Sequence, residues 1–165
     1  MPVIEIVKDL DRHALIVVTE YAASPAHLWQ LWSDPRKLEK WWGPPGYPAT
    51  VTRYELHPGG EVRYHMTSPE GERYHGGWRV LAVEPDAHLQ VEDFFADADG
   101  NEDTSMPAGM MDVSITSIDD GTTRMVIEST HPDAESLQKV LDMGMEEGIR
   151  AAAGQIDDLL AEIAG

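Results

Sequence analysis

The residues whose types and spacing could do chemistry are a histidine pair, two adjacent carboxylates and five tryptophans. If Pro69-Glu70-Gly71 closes a three-residue turn with Gly71 left-handed, Ser68 faces Glu72 and His65 lies across from His75. Two facing imidazoles could share one metal ion. Arg63 and Arg73 flank them, however, repelling a cation, and no third ligand stands beside them. The pair therefore reads as part of a solvated face. His13, His27, His57, His88 and His131 show no ligand spacing with one another and read as surface or loop residues. Glu92 and Asp93 offer acid–base chemistry. If Val83 pairs with Leu89 across the Pro85 turn, Arg79 faces Asp93 and Trp78 faces Phe94. Asp93 is then an ordinary cross-strand partner of Arg79. Glu92 shares the inward face with Trp78 and Phe94, where burial would raise its pKa. A lone carboxylate in an apolar pocket could orient a ligand or exchange a proton, which makes Glu92 the one weak catalytic candidate. A one-residue slip would send it to water.

Other chemistries are missing. The chain has no cysteine, so it has no thiolate metal site and no thiol nucleophile. The acidic loop from Asp97 to Asp103 places glycine fourth and Ala108 at the twelfth position. A helix–loop–helix calcium site needs glycine sixth and glutamate twelfth. No Gly-x-Ser-x-Gly elbow, phosphate loop or dinucleotide fingerprint occurs. No metal and no cofactor are expected. Twelve Lys and Arg against thirty Asp and Glu give a formal charge of −18. Such a balance repels phosphate backbones and anionic headgroups, which opposes nucleic-acid and membrane-surface binding. No run of 18 apolar residues occurs, and the acids near the N-terminus do not suit a signal peptide. The expectation is a single cytoplasmic domain spanning residues 1–165.

The elements that must position these residues follow from local signals. Residues 14–21 are rich in β-branched side chains and predict a first strand. Ser24-Pro25 and Asp34-Pro35 each start a short helix, the first striped by Leu28, Leu31 and Trp32, the second carrying Leu38, Trp41 and Trp42. Gly43-Pro44-Pro45-Gly46 stops the second. Six further strands fit 49–57, 61–68, 72–83, 88–96, 109–118 and 122–131, separated by Gly- and Pro-bearing turns. From Asp133 to Ala164, apolar residues recur every three or four positions and predict one long amphipathic helix. The class is α+β, with seven strands, two short helices after the first strand and a long C-terminal helix.

Turn geometry also assigns faces. The Pro69 turn sets Val62 opposite Trp78, Tyr64 opposite Gly76 and Met66 opposite Tyr74. The Asp119-Asp120-Gly121 turn sets Ile115 opposite Met125, Val113 opposite Ile127 and Met111 opposite Ser129. Both hairpins carry one apolar and one polar face, as a sheet covered on one side requires. Gly144, Gly148 and Gly154 interrupt a helix of strong formers. They allow either close packing of helix on sheet or a cavity between the two, with Met66, Met110, Met111, Met125, Met143 and Met145 as adaptable walls or plain core filler.

The stretch Trp32-Ser33-Asp34-Pro35 leading to Trp41-Trp42-Gly43-Pro44, then Leu56-His57-Pro58-Gly59-Gly60 and Gly76-Gly77-Trp78, resembles homologues of the activator of the heat-shock-protein-90 ATPase. The likeness runs from about Ala14 to Ala164. These proteins belong to the helix-grip superfamily that also holds START-like lipid-transfer domains and the birch-pollen allergen. The resemblance implies a helix-grip fold: a seven-stranded curved antiparallel sheet wrapped around a long C-terminal helix, two short helices closing one end, and a hydrophobic cavity between. Fold alone does not give function. The leading expectation is a module that binds a small hydrophobic or aromatic molecule. Its candidate ligand contacts are Tyr64, Met66, Tyr74, Trp78, Phe94, Met111, Val113, Ile127, Leu141, Met145 and Gly148. Two others compete with it: a cyclase or hydrolase using Glu92 or a pocket tyrosine, and a chaperone-associated protein. Monomer and homodimer both remain open.

Overall fold

A computed structural model describes residues 3–43, 45–105 and 108–164. Pro44 of the predicted helix stop, Met106 and Pro107 beyond the acidic loop, and the Ile163 side chain of the C-terminal apolar stripe lie outside what is described. Eight strands form one antiparallel sheet: β1 Val3–Asp9, β2 Ala14–Tyr21, β3 Ala49–Tyr54, β4 Glu61–Thr67, β5 Arg73–Glu84, β6 His88–Ala96, β7 Gly109–Asp119 and β8 Thr122–Thr130. Their order across the sheet is β1-β2-β8-β7-β6-β5-β4-β3. The expected count of seven is corrected by β1, which pairs with β2 at the sheet edge. The bend between them has no glycine or proline; His13 takes the left-handed conformation at φ 55°.

The helical segments are α1 Pro25–Ser33, α2 Pro35–Leu38, α3 Ala134–Asp142, α4 Met145–Ala153 and α5 Ile156–Ala164. Ser24 caps α1, its hydroxyl accepting from the His27 amide at 3.2 Å, and Asp34 caps α2 by accepting from the Arg36 amide at 2.9 Å. The single long C-terminal helix is corrected to three segments. Gly144 sits at φ +87° and breaks the hydrogen-bonded ladder between α3 and α4, and Gly154 marks the end of α4. Such a φ suits glycine, because a Cβ there crowds the following carbonyl.

Both turn-based registers hold. Gly71 and Gly121 take left-handed conformations. Val62 pairs with Trp78, Tyr64 with Gly76 and Met66 with Tyr74, while Val113 pairs with Ile127 and Ile115 with Met125. Buried side chains pack on the inner face in two clusters. One joins Trp32, Trp41 and Trp78 to Leu28, Leu89, Val113, Met125 and Ile156; the other joins Leu15 and Val17 to Leu137 and Val140. Each fully buried leucine stabilises by about 1.5–3 kcal/mol relative to exposure.

The β5–β6 register departs from expectation. Val83 does face Leu89, but a bulge between Val80 and Ala82 inserts Leu81, which is exposed. Below that bulge every pair shifts by one, so Arg79 faces Glu92, Trp78 faces Asp93 and Gly77 faces Phe94. A slip of one residue exchanges the faces of β6.

Candidate functional site

Elements from both clusters surround a cavity of about 390 Å³ between the sheet and the C-terminal helices. This volume falls in the range of small-molecule sites. Strands β4 to β8 supply its floor, Trp41 and Trp42 one wall, and the α3–α4 junction its roof. Most of the lining is apolar, with Met66, Met110, Met111, Met143 and Met145 among it. Among the described residues that line it, none is lysine or arginine. Tyr74 and Met143 belong to the lining and are each 53% exposed, so they mark where the cavity meets solvent. The break at Gly144 places Met143 at that rim.

The tryptophan cluster makes the wall rigid. Trp42 stands edge-on to Trp78 at 5.1 Å, to Trp41 at 5.5 Å and to Tyr64 at 6.1 Å between ring centroids. Edge-to-face contacts add to what burial alone provides. The Trp41 indole donates to the Leu31 carbonyl at 2.9 Å, and Gln155 donates to the Gly43 carbonyl at 2.7 Å. The first bond ties the segment after α2 back to α1, and the second ties it to the α4–α5 junction.

One part of the wall is polar. Asp93 faces inward beside Trp78, and burial pushes its carboxyl up to about 7, offset in part by the nearby Tyr64 hydroxyl. Asp93 keeps some accessible surface, and it lines the cavity. The Tyr64 hydroxyl is itself raised well above its usual range, first by burial and then by the Asp93 charge. The indole N–H groups of Trp42 and Trp78 approach this hydroxyl, yet neither closes a hydrogen bond to any protein group. Two strands along, His131 is 9% exposed and also lines the cavity. Neither of its ring nitrogens has a protein partner, and burial lowers its pKa, which keeps it neutral. Gly109 pairs with Asp93 and lies under the His131 ring: a Cβ on Gly109 would stand 2.9 Å from His131 Nδ1.

The predicted contacts divide. Tyr64, Met66, Tyr74, Met111, Ile127, Met145 and Gly148 line the cavity. Trp78 and Val113 stand behind the wall in the tryptophan-centred cluster, and Leu141 packs on Leu15, Val17, Leu137 and Val140. Phe94 is among the lining residues, but its ring points to the other face. There it is sandwiched between the guanidiniums of Arg63 at 4.7 Å and Arg79 at 4.5 Å. Glu92 is corrected most sharply. The bulge turns it outward, where it accepts from Arg79 Nε at 2.6 Å, while Glu102 accepts from Arg79 Nη1 at 2.8 Å. The inward carboxylate is Asp93, read from sequence as the Arg79 partner. His131 is likewise a wall residue rather than a surface one. Nothing in Val80-Leu81-Ala82-Val83 marks the extra residue that turns Asp93 inward, since all four suit a strand.

Elsewhere the histidine reading holds in geometry. His65 faces His75 with ring centroids 5.5 Å apart. Among the described residues no cluster of three or more His, Asp or Glu could hold a metal ion. No helix among them is long and apolar enough to cross a membrane.

Comparison with known proteins places this geometry. The model of the family described as activator of Hsp90 ATPase homolog 1-like protein matches residues 22–161. The chain belongs to that family. Protein Ms6760 from Mycobacterium smegmatis is 45% identical over 96% of this chain and 97% of its own, with a TM-score of 0.89. A protein from Arthrobacter aurescens, known by solution NMR, is 38% identical over 96% of this chain and 92% of its own, at TM-score 0.92. The AHSA1 protein from Silicibacter pomeroyi shares the fold at 24% identity and TM-score 0.72, over 90% of this chain and 97% of its own. No curated protein matches the chain. The fold is therefore the family's helix-grip fold, here with eight strands and a segmented C-terminal helix.

Proposed function

We propose that this protein binds a small hydrophobic or aromatic molecule in the cavity between its sheet and its C-terminal helices. The observation that carries the reading is the cavity itself: about 390 Å³, walled by methionines and aromatic rings, and closed on one side by an interrupted helix. Apolar surface facing a cavity this size is favourable to cover, since each square ångström removed from water contributes roughly 25 cal/mol. Methionine side chains adapt to ligand shape at little cost. Membership of a family whose superfamily relatives hold hydrophobic molecules agrees with this reading.

The catalytic alternative loses Glu92, which is paired to Arg79 on the outer face, and keeps only the pocket tyrosines Tyr64 and Tyr74. The chaperone-associated alternative has the family name behind it and no feature of the site. Native mass spectrometry of protein purified gently from its source, followed by organic extraction, tests the binding reading. The expected result is a reproducible mass increment that extraction removes and identifies as an apolar small molecule. A bare polypeptide mass in every preparation would count against stable carriage.

A further inference from the structure

Buried polar groups without partners are uncommon in folded proteins, and they concentrate where a ligand completes them. His131 is such a group: both ring nitrogens lack a protein partner and the ring lies on the cavity wall. Asp93 sits on the same inner face two strands away, with Gly109 between them. The His131 ring lies over Gly109, where a Cβ would stand 2.9 Å from it, so the absent side chain lets the imidazole lean across the strand that pairs with Asp93. The row thus presents a carboxyl and an imidazole on one face, with no side chain on Gly109 to separate them. Ser129 adds a hydroxyl to the wall close by.

The charge of this end restricts what fits. The described lining holds no lysine or arginine, so an anionic head would enter a low-dielectric site with no cation to receive it. The Asp93 carboxyl would repel it further, as would the net charge of −18. A hydroxyl suits the row without such a penalty, because it donates one hydrogen bond and accepts another. Neutral imidazole offers one donor and one acceptor, and a carboxyl accepts in either protonation state.

We propose that Asp93 and His131 form a head-group site for an uncharged hydroxyl, so that the ligand is an apolar molecule bearing one rather than a fatty acid or phospholipid. The hydroxyl donates to the Asp93 carboxyl and accepts from the His131 ring N–H, standing between the two groups on the cavity side. The apolar body of the ligand then lies among the methionines towards Tyr74 and Met143. This inference rests on the binding reading above and adds the chemistry of the ligand's polar end.

A matched series separates the two. Binding of naphthalene, 2-naphthol and 2-naphthoate at pH 7 is measured by equilibrium dialysis. The expected order is 2-naphthol tighter than naphthalene by about tenfold, the effect of one well-placed hydrogen bond, and 2-naphthoate weakest. In Asp93→Leu and in His131→Phe, the advantage of 2-naphthol over naphthalene within the same variant falls below about threefold. Parent-like circular dichroism shows that each variant is folded, and either variant alone suffices if the other does not fold. A 2-naphthoate affinity equal to that of 2-naphthol overturns the proposal. So does a naphthol advantage that survives both substitutions. If none of the three molecules binds the parent protein, the cavity reading falls with it.

Discussion

At the scale of single residues, Asp93 carries the most unusual energetics. Its carboxyl is held near 7, well above the ordinary aspartate value of about 3.9. Between those values the folded protein keeps a proton that the unfolded chain has released, so this group lowers stability as pH rises through that window. Its full cost is reached above about pH 7 and vanishes below about pH 4. Three units correspond to a few kcal/mol, on the order of 1.4 kcal/mol each. Asp93→Asn is therefore expected to melt above the parent protein at pH 8, with the difference shrinking steadily between pH 7 and pH 4. Thermal denaturation across pH checks this, and a pH-independent difference would contradict it. Gly109 makes a second residue-scale test. Gly109→Val drives a side chain into the His131 ring and the Thr130 carbonyl oxygen. Overpacking of this kind costs about 1–3 kcal/mol, and the loss is expected in a urea titration. Neither Asp93 nor His131 was legible as a wall residue. Sequence shows an acid beside Phe94-Phe95 and a histidine before Pro132, and only the strand register says which way each points.

At the scale of elements, the legible parts were those fixed by turn chemistry. Gly71 and Gly121 set their hairpins, and all the cross-strand pairs inferred from them between β4 and β5 and between β7 and β8 are present. The Leu81 bulge was not legible, because Val80, Leu81, Ala82 and Val83 all suit a strand and none signals the extra residue. Strand β1 escaped for a related reason: it is an edge strand with exposed Glu5, Val7 and Lys8, so it lacks the alternation that burial imposes. The C-terminal periodicity was correct in its apolar stripe but silent on the break, since a glycine inside a helix and a glycine between two helices read alike. Two substitutions distinguish them. Gly148 lies inside α4, and a Cβ added there would meet nothing within 4 Å, so Gly148→Ala is expected to stabilise by just under about 1 kcal/mol. Gly144 at φ +87° is expected to lose about 1 kcal/mol or more on change to alanine. Melting temperatures of the two variants should move in opposite directions, by about 2–4 °C each for a domain of this size. Shifts of the same sign would contradict the segmented helix.

At the scale of the whole molecule, the sheet divides its labour between faces. The outer face is laced with exposed ion pairs such as Arg124 with Glu20 and Arg79 with Glu102, each worth at most about 1 kcal/mol. The inner face supplies two apolar clusters and, between them and the helices, a cavity whose rim is a helix break rather than a loop. That arrangement leaves the tryptophan wall fixed while the roof around Gly144 carries the residues nearest solvent. The central claim is that a ligand occupies this space, and Gly148→Trp tests it most directly. Gly148 lines the cavity and has open space where a side chain would start, so an indole there fills room a ligand would need. Gly148→Trp is expected to keep the circular dichroism of the parent protein and to weaken naphthalene binding by at least about tenfold, a loss of roughly 1.4 kcal/mol. Unchanged affinity in a folded Gly148→Trp variant would contradict it.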